Sequence, residues 1–258
     1  MKKLTLLLLA LLYVTLTYAY TERDLLQKQA DINRLKEILV LDRQWVTYPD
    51  YNDRAGWDRF LGTFKDEYIR RGEKRLNYQW QVVKATDYLA FERTGNRQIM
   101  EKPFGANNGA IADLLMAELA EGKGRFVDQL INGVFNACEM TSWALAAHII
   151  VQPSHRALPA YDYPVIDLTS GDLGGLLAWT YHFMRPSFDK VDPEISRRLR
   201  HELQTRILDP YMNNDSFWWM GRNYNGRMLN NWNPWCNSNA LMCFMLLEDN
   251  RDTLAKAV

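Results

Sequence analysis

Apolar residues recur at helical spacing along most of the chain. From Glu22 to Val40 they fall at Leu25, Leu26, Ile32, Leu35, Ile38 and Leu39 among charged residues, the pattern of an amphipathic surface helix. Two more such segments follow, Ala55 to Arg71 and Tyr78 to Arg93, the second closing at Thr94-Gly95-Asn96 as a helix end does. Asn108 to Ala120 and Arg125 to Val151 form a pair joined by Glu121-Gly122-Lys123-Gly124, and Gly171 to Met184, Pro193 to Leu208 and Ser238 to Leu247 complete the set. No alternating strand pattern, exact repeat or low-complexity run interrupts it. The expectation is an all-α fold of helical hairpins joined by short turns, whether a toroid, a solenoid or a bundle.

Two helices carry more than packing information. In Arg125 to Val151, Val127, Leu130, Ile131, Val134, Cys138, Leu145 and Ile149 share one arc, whereas Asn132, Asn136, Glu139 and Trp143 gather on the opposite one. A solvent face normally fills with Lys, Glu and Arg, so amides, a carboxylate and an indole in line suit either a cavity wall or a hydrogen-bonded helix contact. His148, at the edge of the apolar arc, reads as a core histidine. In Gly171 to Met184, Gly174, Gly175, Ala178 and His182 make a strip of small residues around one imidazole. Either His182 looks into a cavity or the strip is a tight helix contact. Pro153 to Pro164 is a proline-broken loop with Tyr161 and an exposed His155, long enough to be functional.

The ends and the composition narrow the class. Met1 to Ala19 has Lys2 and Lys3, an apolar stretch from Leu4 to Leu16, and small residues before Ala19, the pattern of a signal peptide cleaved after Ala19. Residues 20–258 are then one helical domain, exported to the periplasm or secreted, with no stable membrane insertion after cleavage. The chain has 31 basic and 31 acidic residues, and loss of Lys2 and Lys3 leaves a net charge of −2. That near-neutral balance argues against nucleic acid as a partner. Cys138, Cys236 and Cys243 are too few for a disulfide framework, leave one disulfide open, and sit in no metal-ligand cluster, so neither metal nor cofactor is expected.

The densest chemistry lies between Phe217 and Asn239, where Trp218, Trp219, Trp232 and Trp235 alternate with asparagines and with Arg222 and Arg227. Indole faces with amide donors and acceptors suit a ligand that has a ring face and many hydroxyls, as sugars do. They equally suit a loop whose aromatics plug a helical domain and whose amides cap helices.

The segment Gly221 to Asn239, with its core Asn230-Asn231-Trp232-Asn233-Pro234-Trp235-Cys236-Asn237-Ser238-Asn239 running into an apolar helix, resembles the helical domain of heparinase II/III-like polysaccharide lyases. Asn136-Ala137-Cys138-Glu139-Met140-Thr141-Ser142-Trp143 is similar to the Glu- and Trp-bearing helix of that domain. The resemblance implies an incomplete α/α toroid and β-elimination of an acidic polysaccharide or oligosaccharide. Removing the C5 proton of a uronic acid builds charge on its carboxylate, so such a site must supply donors to that carboxylate, a base, and an acid for the leaving oxygen.

In the family an Asn neutralises the carboxylate while Tyr and His act as base and acid. Carried over here, Asn231 is the neutraliser, and His182 and Tyr224 are the catalytic candidates that no family motif matches. Asn136, Glu139, Trp143, Arg222, Arg227, Trp232 and Trp235 are then substrate-binding. Many members place His directly after the catalytic Asn, where this chain has Trp232. The family's catalytic Tyr lies beyond the Asn, and a further His comes from a C-terminal β-sheet domain. With Val258 its last residue, the chain reads as the N-terminal portion of a longer lyase, inactive alone. Alternatives are a non-catalytic carbohydrate-binding or scaffold protein, or an α/α-toroid glycoside hydrolase pairing Glu139 with Asp172 or Asp215.

Overall fold

The structure is a computed structural model that describes residues 31–221 and 229–258. The chain divides into two units, Met1–Leu39 and Val40–Val258. In the first, helix α1 (Ile32–Ile38) starts where the Asp31 carboxylate accepts from Asn33 N at 2.8 Å, and no residue of the helix is buried.

The second unit is helical, with no strand among the described residues. Its elements are α2 (Arg54–Leu61), α3 (Lys65–Glu73), α4 (Ala85–Thr94), α5 (Gln98–Glu121), α6 (Val127–Cys138), α7 (Ala146–Ile149), α8 (Leu168–Val191), α9 (Pro193–Leu203), α10 (Asp209–Asn213), α11 (Trp232–Leu247) and α12 (Arg251–Ala257). Turns of 3-10 helix lie at Gly62–Phe64 and Trp218–Met220, and a π-helical turn, Gln204–Leu208, joins α9 to α10.

Side-chain pairings give the directions. Arg71 and Arg75 of the α3 region both reach Asp113 of α5, and further along the chain Tyr78 Oη meets Asn107 of the same helix. Asn107 also reaches Asn136, and the Glu118 carboxylate accepts from Phe126 N, so α5 and α6 form an antiparallel hairpin. Helices α8 and α11 run parallel. Asp172 accepts from Trp235 and Asn239 near their N-terminal ends, while Tyr181 and His182 share a cleft with Leu246 and Leu247 at the other. Helix α9 packs on α8 and, with the π-turn, supplies the return between α8 and α11.

Several helices begin or end away from the positions that periodicity alone gives. Helix α5 runs through Pro103 and α8 through Pro186. Each proline forfeits one backbone bond, at a cost of about 3 kcal/mol, which burial of a long helix against two neighbours offsets. Residues 79–84 are not helical, and Asn107 satisfies both N and O of Gln81 in place of helical partners.

The segment Arg125 to Val151 is not one helix. α6 stops at Cys138, whose carbonyl accepts from Arg198 and Arg206, and Trp143 Nε1 takes the Ala137 carbonyl at 2.8 Å. Two guanidinium groups at a helix C-terminus satisfy its orphan carbonyls and its dipole.

Candidate functional site

Helix α11 begins inside the tryptophan and asparagine motif. Pro234 sits in its first turn, where a missing N–H costs nothing. The motif's amides then part company. Asn230 caps the helix by accepting from Trp232 N at 3.0 Å, and Asn233 Nδ2 donates to the Trp219 carbonyl at 2.6 Å. Asn237 accepts from Tyr211 Oη at 3.0 Å, and Asn239 donates to Asp172 and to the Trp235 carbonyl. Asn231 alone of the five is exposed with an amide that makes no hydrogen bond among the described residues. Next to it, Trp232 lies between two rings, with centroids 5.4 Å from Trp218 and 4.7 Å from His148.

His148 belongs to α7 and is held from behind. Its Nδ1 lies 2.6 Å from Asp167 Oδ2. Asp167 is wholly buried at the N-terminus of α8 and accepts from Leu145 N, Ser170 N and Thr169 Oγ1 as well. A carboxylate ringed by donors fixes the imidazole tautomer with Nδ1 protonated, leaving the Nε2 lone pair to face outward. In that tautomer Nε2 accepts from the Arg97 guanidinium at 3.4 Å, which is itself paired to Glu101 and which a substrate would have to displace. The result is an aligned imidazole, an indole against its face, and an unengaged amide one residue from that indole. Such a set can bind a carboxylate and accept a proton.

The other candidate residues lie elsewhere. His182 stands ten residues after Asp172 on α8, about 15 Å further along the helix. It lines a separate cleft with Arg43, Arg185 and Arg200, and burial lowers its pKa, helped by Arg43. The geometry therefore does not bring His182 to Asn231. The strip beside it is a helix contact, since a Cβ on Gly175 would lie 2.9 Å from Asn239 Oδ1 and one on Gly174 2.9 Å from Ile207.

Glu139, Asn136 and Trp143 do not share a cavity wall, because α6 ends before Trp143. Asn136 accepts from Asn107 in the α5 and α6 contact. Glu139 is exposed at the helix end, and Trp143 is 2% exposed with the Arg206 guanidinium over its ring, which leaves no face for a sugar. Trp235 is 44% exposed and donates to Asp172 at 2.7 Å. Asp172 is engaged by Trp235 and Asn239. Arg222, Tyr224 and Arg227 lie outside the described residues. The three cysteines are buried free thiols. Among the described residues no cluster of His, Cys, Asp or Glu is placed to hold a metal ion, and no helix is long and apolar enough to cross a membrane.

His148 is the residue that periodicity assigned to the core. The signal available for it was the Asp167-x-x-Ser170 helix start, whose carboxylate serves two masters. A scan against protein-family models gives no match, and neither does a search of curated proteins.

Proposed function

We propose that this chain is the helical part of an exported polysaccharide lyase that cleaves uronic-acid-containing glycans by β-elimination, its helices forming an incomplete α/α toroid. The observation that carries the reading is the Asn231 amide, unbonded among the described residues, beside Trp232 and the Asp167-held His148. Parallel packing of α8 and α11, with α9 returning between them, fits helices that alternate between the inner and outer layers of a toroid.

In this reading Asn231 Nδ2 donates to the uronate carboxylate, aided by the positive end of α11. Nε2 of His148 takes the C5 proton, and Asp167 stabilises the imidazolium that results. Trp232, seated between Trp218 and His148, holds the imidazole in place, and Trp218 offers a ring to the sugar. The glycosidic oxygen leaves as the C4–C5 double bond forms and needs a proton from an acid that the described residues do not identify.

The test is to titrate the full chain with polygalacturonate, alginate and chondroitin while following both binding and the ultraviolet absorbance of an unsaturated uronide. Binding that Asn231→Ala weakens at least tenfold supports the site, and absorbance that His148→Ala abolishes supports the reaction. Because this helical part is expected to be inactive alone, binding is the deciding readout, and any absorbance would assign the reaction to this part. Equal binding by wild type and Asn231→Ala overturns the reading altogether.

A further inference from the structure

Where α8 turns back into α9 lies a cleft of about 450 Å³, roughly 20 Å along α8 from the Asp172 contact with Trp235. Arg185 and Asp189 of α8 and Ser196 and Arg200 of α9 line it, with Gln204 of the π-helical turn. We propose that this cleft is a binding site for hydrogen phosphate, recognised by two guanidinium groups and by an aspartate oxygen that accepts the ligand's own proton. The inference goes beyond the lyase reading and uses none of its residues.

Two orphaned oxygens mark the cleft. Asp189 Oδ1 and the hydroxyl of Ser196, a residue 4% exposed, are buried without a hydrogen-bond partner among the described residues, and both side chains line this one cleft. A buried polar atom left unpaired costs about 1–3 kcal/mol, so a ligand that supplies partners recovers that loss. The Ser196 hydroxyl can donate or accept. An ionised carboxylate only accepts, so the ligand must bring an O–H or N–H to Asp189.

The cations are held in place with donors left over. Arg200 gives Nη1 to Gln204 Oε1 at 2.7 Å and Nη2 to the Leu247 carbonyl at 3.5 Å, and Gln204 is itself fixed by donating to Asp209. Its remaining N–H groups are unbonded, and it has no carboxylate partner, among the described residues. Arg185 lies over the Tyr181 ring at 5.6 Å and touches Asp189 Oδ2 only through Nε, at 3.4 Å. The other charges nearby are paired or turned away: Arg197 takes Glu194, Arg43 takes Asp249, and Glu248 accepts from Asn250 N at 2.7 Å. A sulfate or a carboxylate would meet the guanidinium groups but set like charge against Asp189 with no proton to share. An ammonium would meet Asp189 but stand beside Arg185, and a neutral hydroxyl would leave Arg200 without a counterion. Hydrogen phosphate answers every group: its oxygens accept from Arg185, Arg200 and Ser196, and its O–H donates to Asp189.

The experiment is calorimetric titration of the full chain at pH 8 with inorganic phosphate, sulfate and a sugar phosphate. Inorganic phosphate keeps one proton at that pH, whereas a phosphate monoester, with a second pKa of about 6, has lost its own. Phosphate should bind, sulfate and the ester should bind about tenfold more weakly, and Arg185→Ala should weaken phosphate about tenfold. Asp189→Asn should bring sulfate level with phosphate, because the amide can donate where the carboxylate only accepts. Arg185 is exposed, so its replacement keeps the wild-type melting temperature and a loss of binding reports the site. A repeat at pH 5.5 identifies the source: ester binding there extends the site to phosphorylated sugars, and its absence confines the site to free phosphate. No binding of phosphate, sulfate or ester as tight as phosphate at pH 8, an unchanged preference in Asp189→Asn, or wild-type binding by Arg185→Ala overturns the proposal.

Discussion

Nδ1 of His148 lies 2.6 Å from the fully buried Oδ2 of Asp167, and the same carboxylate takes the backbone N–H groups of Leu145 and Ser170. One side chain thus starts α8, anchors the turn into α7 and aims the imidazole. The two partners should behave differently when removed. Asp167→Ala orphans two buried N–H groups and should cost about 2–4 kcal/mol, read by urea unfolding. His148→Ala removes only a half-buried ring and should cost about 1 kcal/mol. Equal losses for both would make the imidazole a structural prop.

The asparagines of the motif make a similar contrast. Asn233 donates to the Trp219 carbonyl at 2.6 Å, whereas the Asn231 side chain has no partner among the described residues. Asn233→Ala should lose about 1–1.5 kcal/mol, seen as a fall in melting temperature. Asn231→Ala should change stability by less than about 0.5 kcal/mol and affect only ligand binding. A large stability loss at Asn231 would assign that amide to the fold.

The helices were legible because apolar periodicity is local, and α5, α8 and α9 lie where that pattern places them, though α5 and α8 extend further. What ended them was not local. α6 stops because Arg198 and Arg206, about sixty residues on, take the Cys138 carbonyl. The Asn-Trp motif looked aperiodic because its residues are chosen by partners at Asp172, Tyr211 and Trp219 rather than by a single buried face. His148 reads as a core histidine for the same reason, since its apolar neighbours in sequence say nothing of a carboxylate nineteen positions later. Proline acts in the other direction: periodicity alone begins a helix after Pro103 and ends one before Pro186, yet packing carries both helices through.

Alkaline pH should destabilise the protein before acid chemistry at these groups matters. Burial pushes the Cys138 and Cys243 thiols up to about 12 and raises Cys236 too, and burial together with the Glu118 carboxylate raises Tyr51 to about 12. Each is neutral when protonated, so a folded pKa above the unfolded one means that the native state holds its proton more tightly. That stability is complete below the unfolded thiol value of about 8.5 and is lost progressively as pH rises towards 12. Urea midpoints should therefore be flat from pH 7 to 8 and fall steadily above pH 9. Under native conditions at pH 8 a thiol reagent should label none of the three cysteines until urea unfolds the chain. Rapid labelling at pH 8 would contradict their burial.

Two glycines on the α5 and α6 hairpin test how tightly its helices pack. A Cβ at Gly133 of α6 would come 2.4 Å from Trp80 and 2.8 Å from Ile111, and Trp80 has little freedom to retreat because its Nε1 donates to Gln129 at 2.9 Å. Gly133→Ala gains about 1 kcal/mol in helix propensity but must displace a held indole and a buried isoleucine. Overpacking of that kind costs about 1–3 kcal/mol, so the net effect should be destabilising. Gly105 of α5 is the control: it is helical, exposed, and a Cβ there meets nothing within 4 Å. Gly105→Ala gains the propensity term without the clash and should stabilise by about 0.5–1 kcal/mol. Opposite signs in parallel urea titrations would confirm that α5 and α6 touch through Gly133; a stabilising Gly133→Ala would mean that Trp80 is not seated there.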